Sequence, residues 1–63
     1  MTLSPDTRVQ LTRDWYDLPR GTTARVRYVD GDHSVYLYWS GREELGPDML
    51  RMSEAREVLE AVK

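Results

Sequence analysis

Two arginines and two tyrosines stand at alternating positions in the segment Thr23 to Ser40, TARVRYVDGDHSVYLYWS. Arg25 and Arg27 alternate with Ala24, Val26 and Tyr28, while Tyr36 and Tyr38 alternate with Val35, Leu37 and Trp39. Such alternation marks strands with one apolar and one polar face. Arginine supplies bidentate and cation–π contacts, and tyrosine supplies a stacking face tipped by a hydroxyl. The polar face therefore has the chemistry to hold bases, phosphates or a peptide. The same neighbours also stabilise a solvated sheet face with no ligand, by up to roughly 1 kcal/mol per pair.

Three other groupings carry candidate chemistry. Trp15 and Tyr16, followed by Asp17, occupy a loop of aromatic and acidic residues suited to an extended or proline-rich segment, although Trp15 can equally cover a core that lacks phenylalanine. Asp30, Asp32 and His33 cluster at a turn, but the distal glutamate of a calcium loop is missing, and turn chemistry accounts for Asp-Gly-Asp. No metal site and no cofactor are expected. Glu43 and Glu44 are adjacent, so on a strand they point to opposite faces and cannot act as a carboxylate pair. The single histidine, His33, has no evident nucleophile beside it, and so small a chain offers little volume for a substrate pocket. No enzymatic activity is expected.

These residues need elements to position them, and the length of 63 residues allows one domain near the lower limit for unaided folding. There is no cysteine to staple it. Nine Lys plus Arg against eleven Asp plus Glu give a net charge of −2, which argues against a globally basic nucleic-acid binder while leaving local patches open. The amino-terminal residues lack the apolar run of a signal peptide, and no window has the length of a membrane span, so a cytoplasmic location is expected.

Along the chain, residues 1–7 read as a flexible arm around the turn cluster Ser4-Pro5-Asp6-Thr7, with the domain proper at 8–63. Arg8 to Thr12 alternates and predicts a first strand. Arg13 to Gly21 follows as a long loop, in which Pro19 holds Leu18 extended. The pair of runs around Asp30-Gly31 predicts a β-hairpin. A two-residue turn sets Val26 opposite Val35, whereas a four-residue loop sets Val26 opposite Leu37, Arg27 opposite Tyr36 and Arg25 opposite Tyr38; both keep the faces unmixed. Arg42 to Leu45 reads as a short strand, and Met49 to Met52 as a 3₁₀ turn or a last strand. Ser53 is a candidate N-cap for a helix over 54–62, with Ala55, Val58, Leu59 and Val62 on one side and Lys63 at its end.

The run Val9-x-Leu11, then Leu18-Pro19-Arg20-Gly21-Thr22-Thr23-Ala24-Arg25-Val26, resembles the opening of SH3-like barrels, in particular the KOW-type segment and small uncharacterised bacterial and phage domains of that fold. Gly21 and Val26 fill the glycine and apolar positions, Ala24 stands where a second glycine falls, and Trp39-Ser40-Gly41 matches the exit of the hairpin. The resemblance spans about residues 8 to 52. It implies a small antiparallel barrel, and it includes domains that contact RNA, peptides or regulatory partners.

The expectation is thus a mainly β protein, a small SH3-like antiparallel barrel with a short C-terminal helix. Its expected role is a non-catalytic, adaptor-like protein-binding module using Arg25, Arg27, Tyr36, Tyr38, Trp15 and Tyr16. The alternatives are RNA or single-stranded nucleic acid on the same face, and a structural homo-oligomer, such as a homodimer, in which Tyr36 and Tyr38 pack against a second copy.

Overall fold

In the computed structural model, which describes residues 3–62, the alternating segments become strands. They are β1 (Arg8–Leu11), β2 (Thr23–Asp30), β3 (Ser34–Trp39) and β4 (Asp48–Arg51), followed by the helix α1 (Met52–Val58) and the strand β5 (Leu59–Ala61). All ladders are antiparallel, and the five-stranded sheet runs β4-β3-β2-β1-β5. The sheet is open, with β4 and β5 as its two edges, and α1 carries the chain from one edge to the other.

The inward residues form one cluster. Val9 and Leu11 of β1, Val26 of β2, Val35 and Leu37 of β3, and Leu50 of β4 are all at most 1% exposed, and Met52, Ala55 and Val58 of α1 close over them. Leu50 reaches the same core as Leu11 although two strands separate β4 from β1, so the sheet is strongly curved. The near-equal extents of 26 × 23 × 22 Å agree with that curvature. No helix among the described residues is long and apolar enough to cross a membrane.

The central hairpin combines two registers. Arg25 pairs with Tyr38 and Val26 with Leu37, but beyond them Tyr28 pairs with Tyr36 and Val29 with Val35. Arg27 is the extra residue of a β-bulge, where two residues of one strand oppose one of the other. The bulge corrects the expected face of Tyr28. It is 55% exposed on the outer side, while Val29 turns inward beside Val35. Arg27 consequently does not face Tyr36 in a regular pair. At the hairpin tip His33 N–H bonds to the Asp30 carbonyl, with Gly31 at φ 53 supplying the left-handed residue.

Two further expectations are corrected, and one left open is decided. The stretch expected as a strand at Arg42 to Leu45 is a 3₁₀ turn, Glu43–Leu45, because the Glu43 side chain accepts the Gly41 amide at 3.0 Å and the Leu45 and Gly46 amides bond back to Arg42 and Glu43. Of the two alternatives for Met49 to Met52, the strand holds as far as Arg51, and Met52 opens the helix. The helix expected over 54–62 begins earlier and ends at Val58. Its N-cap is Arg51, whose amide is taken by Glu54 Oε1 at 3.0 Å, and Ser53 lies inside the first turn. Leu59–Ala61 instead extends along β1, where Thr12 N–H bonds to the Val58 carbonyl, Val62 N–H bonds to the Arg8 carbonyl, and Gln10 Nε2 donates to Glu60 at 2.6 Å. The unpaired edge of β1 competes for these backbone groups and wins over an eighth to tenth helical residue. The dipole role expected of Lys63 lies outside the described residues.

The expected flexible arm is also anchored from Leu3 onward. Leu3 packs on the core, Thr7 N–H closes the Ser4-to-Thr7 turn, and Asp6 and Thr7 exchange backbone hydrogen bonds of 2.8 and 2.9 Å with Val26. What was expected of Met1 and Thr2 lies outside the described residues.

Candidate binding surfaces

The six residues singled out by sequence fall on two surfaces. Trp15 and Tyr16 belong to a groove of about 500 Å³ between the β1–β2 loop and the β3–β4 connection, lined also by Trp39, Leu45, Met49 and Glu54. Arg25 and Tyr38 belong to a second, smaller hollow of about 390 Å³ on the outer sheet face, with Arg8, Ser40 and Glu43. Tyr36 and Arg27 lie further along that face. Met49 connects the two, since it pairs with Tyr36 in the ladder and also lines the groove.

The groove is built by tight local geometry. Trp15 and Leu18 exchange backbone hydrogen bonds of 2.8 and 2.9 Å, leaving Tyr16 and Asp17 as the two central residues of a turn. A two-residue hairpin turn favours a positive φ at its first central position, where glycine or asparagine is the usual occupant. Here Tyr16 fills it at φ 54. The residue is 86% exposed, and its ring meets Trp15 edge-on at 4.9 Å. Trp15 itself is half-buried against the core, so it serves packing and groove together.

Across the groove, Arg42 bonds to Asp17 at 2.9 Å and so ties the two loops to each other. Leu45, 73% exposed, and Met49, 49% exposed, complete an apolar lining. The remaining charges there are carboxylates. Asp48 accepts the Trp39 indole N–H and the Met49 amide, and Glu54 accepts the Arg51 amide. Both amides lie on edge strand β4, so these carboxylates also cover backbone donors that would otherwise recruit a passing strand.

The outer sheet face has the opposite charge character. Arg8 is directly opposite Arg25, and Arg25 is opposite Tyr38 on its other side. Further toward the hairpin tip, Tyr28 and Tyr36 rings lie 5.8 Å apart at 43°. Neither ion pair of the described residues involves Arg8, Arg25 or Arg27. At the tip, Asp32 is 3.8 Å from Arg56, and among the described residues no three His, Asp or Glu side chains gather as a metal site would require.

Sequence reasoning omitted Arg8, Tyr28, Leu45 and Met49. Arg8 was within reach, because alternation with Val9 and Leu11 already turns it outward. Tyr28 was not, because nothing in the sequence announces the bulge. Leu45 and Met49 depend on how the chain folds between Gly41 and Asp48, where the expected strand gave the wrong geometry. Comparison of the chain with family models, with curated proteins and with solved structures returns no match.

Proposed function

We propose that this protein is a non-catalytic binding module, an SH3-like barrel in which α1 spans the open side of the curved sheet, and that its groove receives an extended segment of a partner protein. The observation that carries this reading is Tyr16, a large aromatic almost fully in solvent and held at a positive φ in the wall of the groove. A bulky residue in that conformation costs about 1–2 kcal/mol, and such strain gathers at binding sites. Tyr16, Leu45 and Met49 are three of the four large hydrophobic residues exposed among the described residues, and all three line this groove.

Charge defines the occupant. Asp17 is neutralised by Arg42, which leaves Asp48 and Glu54 on the rim, so the complementary segment is apolar with a neighbouring Arg or Lys. Aromatic and aliphatic anchors supply affinity, and the rim carboxylates supply orientation.

Selection from a displayed peptide library, followed by titration of synthetic selected peptides, tests the reading. Peptides enriched in apolar residues beside Arg or Lys are expected, with amide shifts at Trp15 to Leu18 and at Leu45 to Met49. Tyr16→Ala and Leu45→Ser should each weaken them about tenfold or more. Peptides that bind these variants as well as the parent would sink the proposal.

A further inference from the structure

We infer that the outer sheet face is a separate site for single-stranded nucleic acid, with phosphates at Arg8 and Arg25 and bases on Tyr38 and on the Tyr28–Tyr36 pair. The groove plays no part in this inference. It starts from a pairing that folding alone does not explain. Arg8 and Arg25 are direct cross-strand partners. The backbone bonds Leu11 N–H to Thr22 and Val26 N–H to Thr7 flank them, which makes theirs a non-hydrogen-bonded pair, the closer of the two kinds, with Cα atoms about 4.5 Å apart. Like charges directly opposite destabilise a ladder. No carboxylate among the described residues bonds to either guanidinium. Glu43, which lines the same hollow, accepts the Gly41 amide, and Glu60 of the neighbouring strand accepts from Gln10. An anion between the two guanidiniums offsets the repulsion.

Three tyrosines on the same face decide which anion. Tyr38 is the neighbour of Arg25, and Tyr36 follows on the same face of β3, two residues and about 6.8 Å along. The bulge at Arg27 brings Tyr28 outward beside Tyr36 and leaves Arg27 exposed with it. Aromatic rings interleaved with guanidiniums on an open sheet face stack bases while pairing phosphates. An acidic peptide would use the arginines and leave the rings without a role. The net charge of −2 keeps such binding local to this face.

The experiment is fluorescence anisotropy with a labelled oligo(U) strand, repeated over a salt series. With Arg8 and Arg25 engaged, affinity should fall roughly sevenfold from about 50 to about 200 mM salt, following a slope of about −0.7 per phosphate contact on single strands. Arg25→Ala should lower that slope by about 0.7. Tyr28→Ala, at an exposed position, should weaken binding about fivefold or more with the slope unchanged. Arg8→Glu provides a variant that must fold, since it turns the repulsive pair into an attractive one: Tm should rise while oligo(U) binding is lost. Absence of binding at the lowest salt, a slope that Arg25→Ala leaves unchanged, or equal competition by an oligo-glutamate peptide would each overturn the inference, the last reassigning the face to acidic protein.

Discussion

The Asp48 carboxylate holds the Trp39 indole in place: Oδ2 accepts the indole N–H at 2.9 Å while Oδ1 accepts the Met49 amide at 2.9 Å. Trp39 is only 5% exposed and lines both the core and the groove. Asp48→Ala leaves a largely buried donor without its acceptor, which costs about 1–3 kcal/mol and at this chain length lowers Tm by at least about 4 °C. Asp48→Asn retains one acceptor oxygen and should fall between the two. Thermal unfolding followed by tryptophan fluorescence measures both. An Asp48→Ala variant as stable as the parent would mean that water replaces the carboxylate at the indole.

The bulge at Arg27 exchanges the faces of Tyr28 and Val29 relative to an uninterrupted strand, and this makes opposite substitutions diagnostic. Val29→Asp places a charge against Val35 and should cost about 2 kcal/mol or more. Tyr28→Asp gives up only the ring pair with Tyr36 and should cost no more than about 1 kcal/mol. Urea denaturation of the two variants ranks them. The reverse order would indicate a continuous register with Tyr28 inside.

The faces of the hairpin were legible because a period of two survives any even change in loop length. Val26 against Leu37 and Arg25 against Tyr38 match the four-residue-loop register, one of the two that alternation allowed. The bulge was illegible because it depends on a tertiary partner: Asp6 and Thr7 bond to Val26 immediately before it, and nothing near Arg27 in the sequence records their arrival. The end of the helix failed for a related reason. Val58 and Leu59 are buried whether the chain continues as helix or turns into strand, so the apolar stripe fitted both. The groove was half legible. Its aromatic loop stood out by composition, but the opposite wall required the 3₁₀ turn at Glu43–Leu45, which Gly41, Gly46 and the Glu43 side chain shape together.

Proline distinguishes strand from helix at β5. The bonds Thr12 to Val58 and Val62 to Arg8 bracket Gln10 and Glu60, so by the alternation of antiparallel ladders the Glu60 amide points at β1 and the Ala61 amide points away from it. Glu60→Pro removes a ladder bond and should destabilise by about 1–3 kcal/mol more than Ala61→Pro. A helix continued through Val62 would suffer from either substitution about equally. Chemical denaturation of the pair, with Hα–Hα NOEs between Leu11 and Leu59 in the parent protein, is the measurement.

Tyr16 separates stability from binding. Glycine at this position removes the cost of a left-handed side-chain-bearing residue, about 1–2 kcal/mol, and loses the edge-on contact with Trp15, about 0.5–1.5 kcal/mol. The greater freedom of glycine in the unfolded chain takes back up to about 1 kcal/mol more. Tyr16→Gly should therefore stay within about 1 kcal/mol of the parent. Tyr16→Ala keeps the strained backbone and loses the ring, so it should be the less stable of the two, which inverts the usual ranking of alanine over glycine. Both should lose the groove's peptide ligands, because neither restores an aromatic at the wall. Unfolding curves and peptide titrations on the same two proteins decide the matter. If alanine proves more stable than glycine, the turn does not hold Tyr16 at a positive φ, and the strain argument for the groove falls with it.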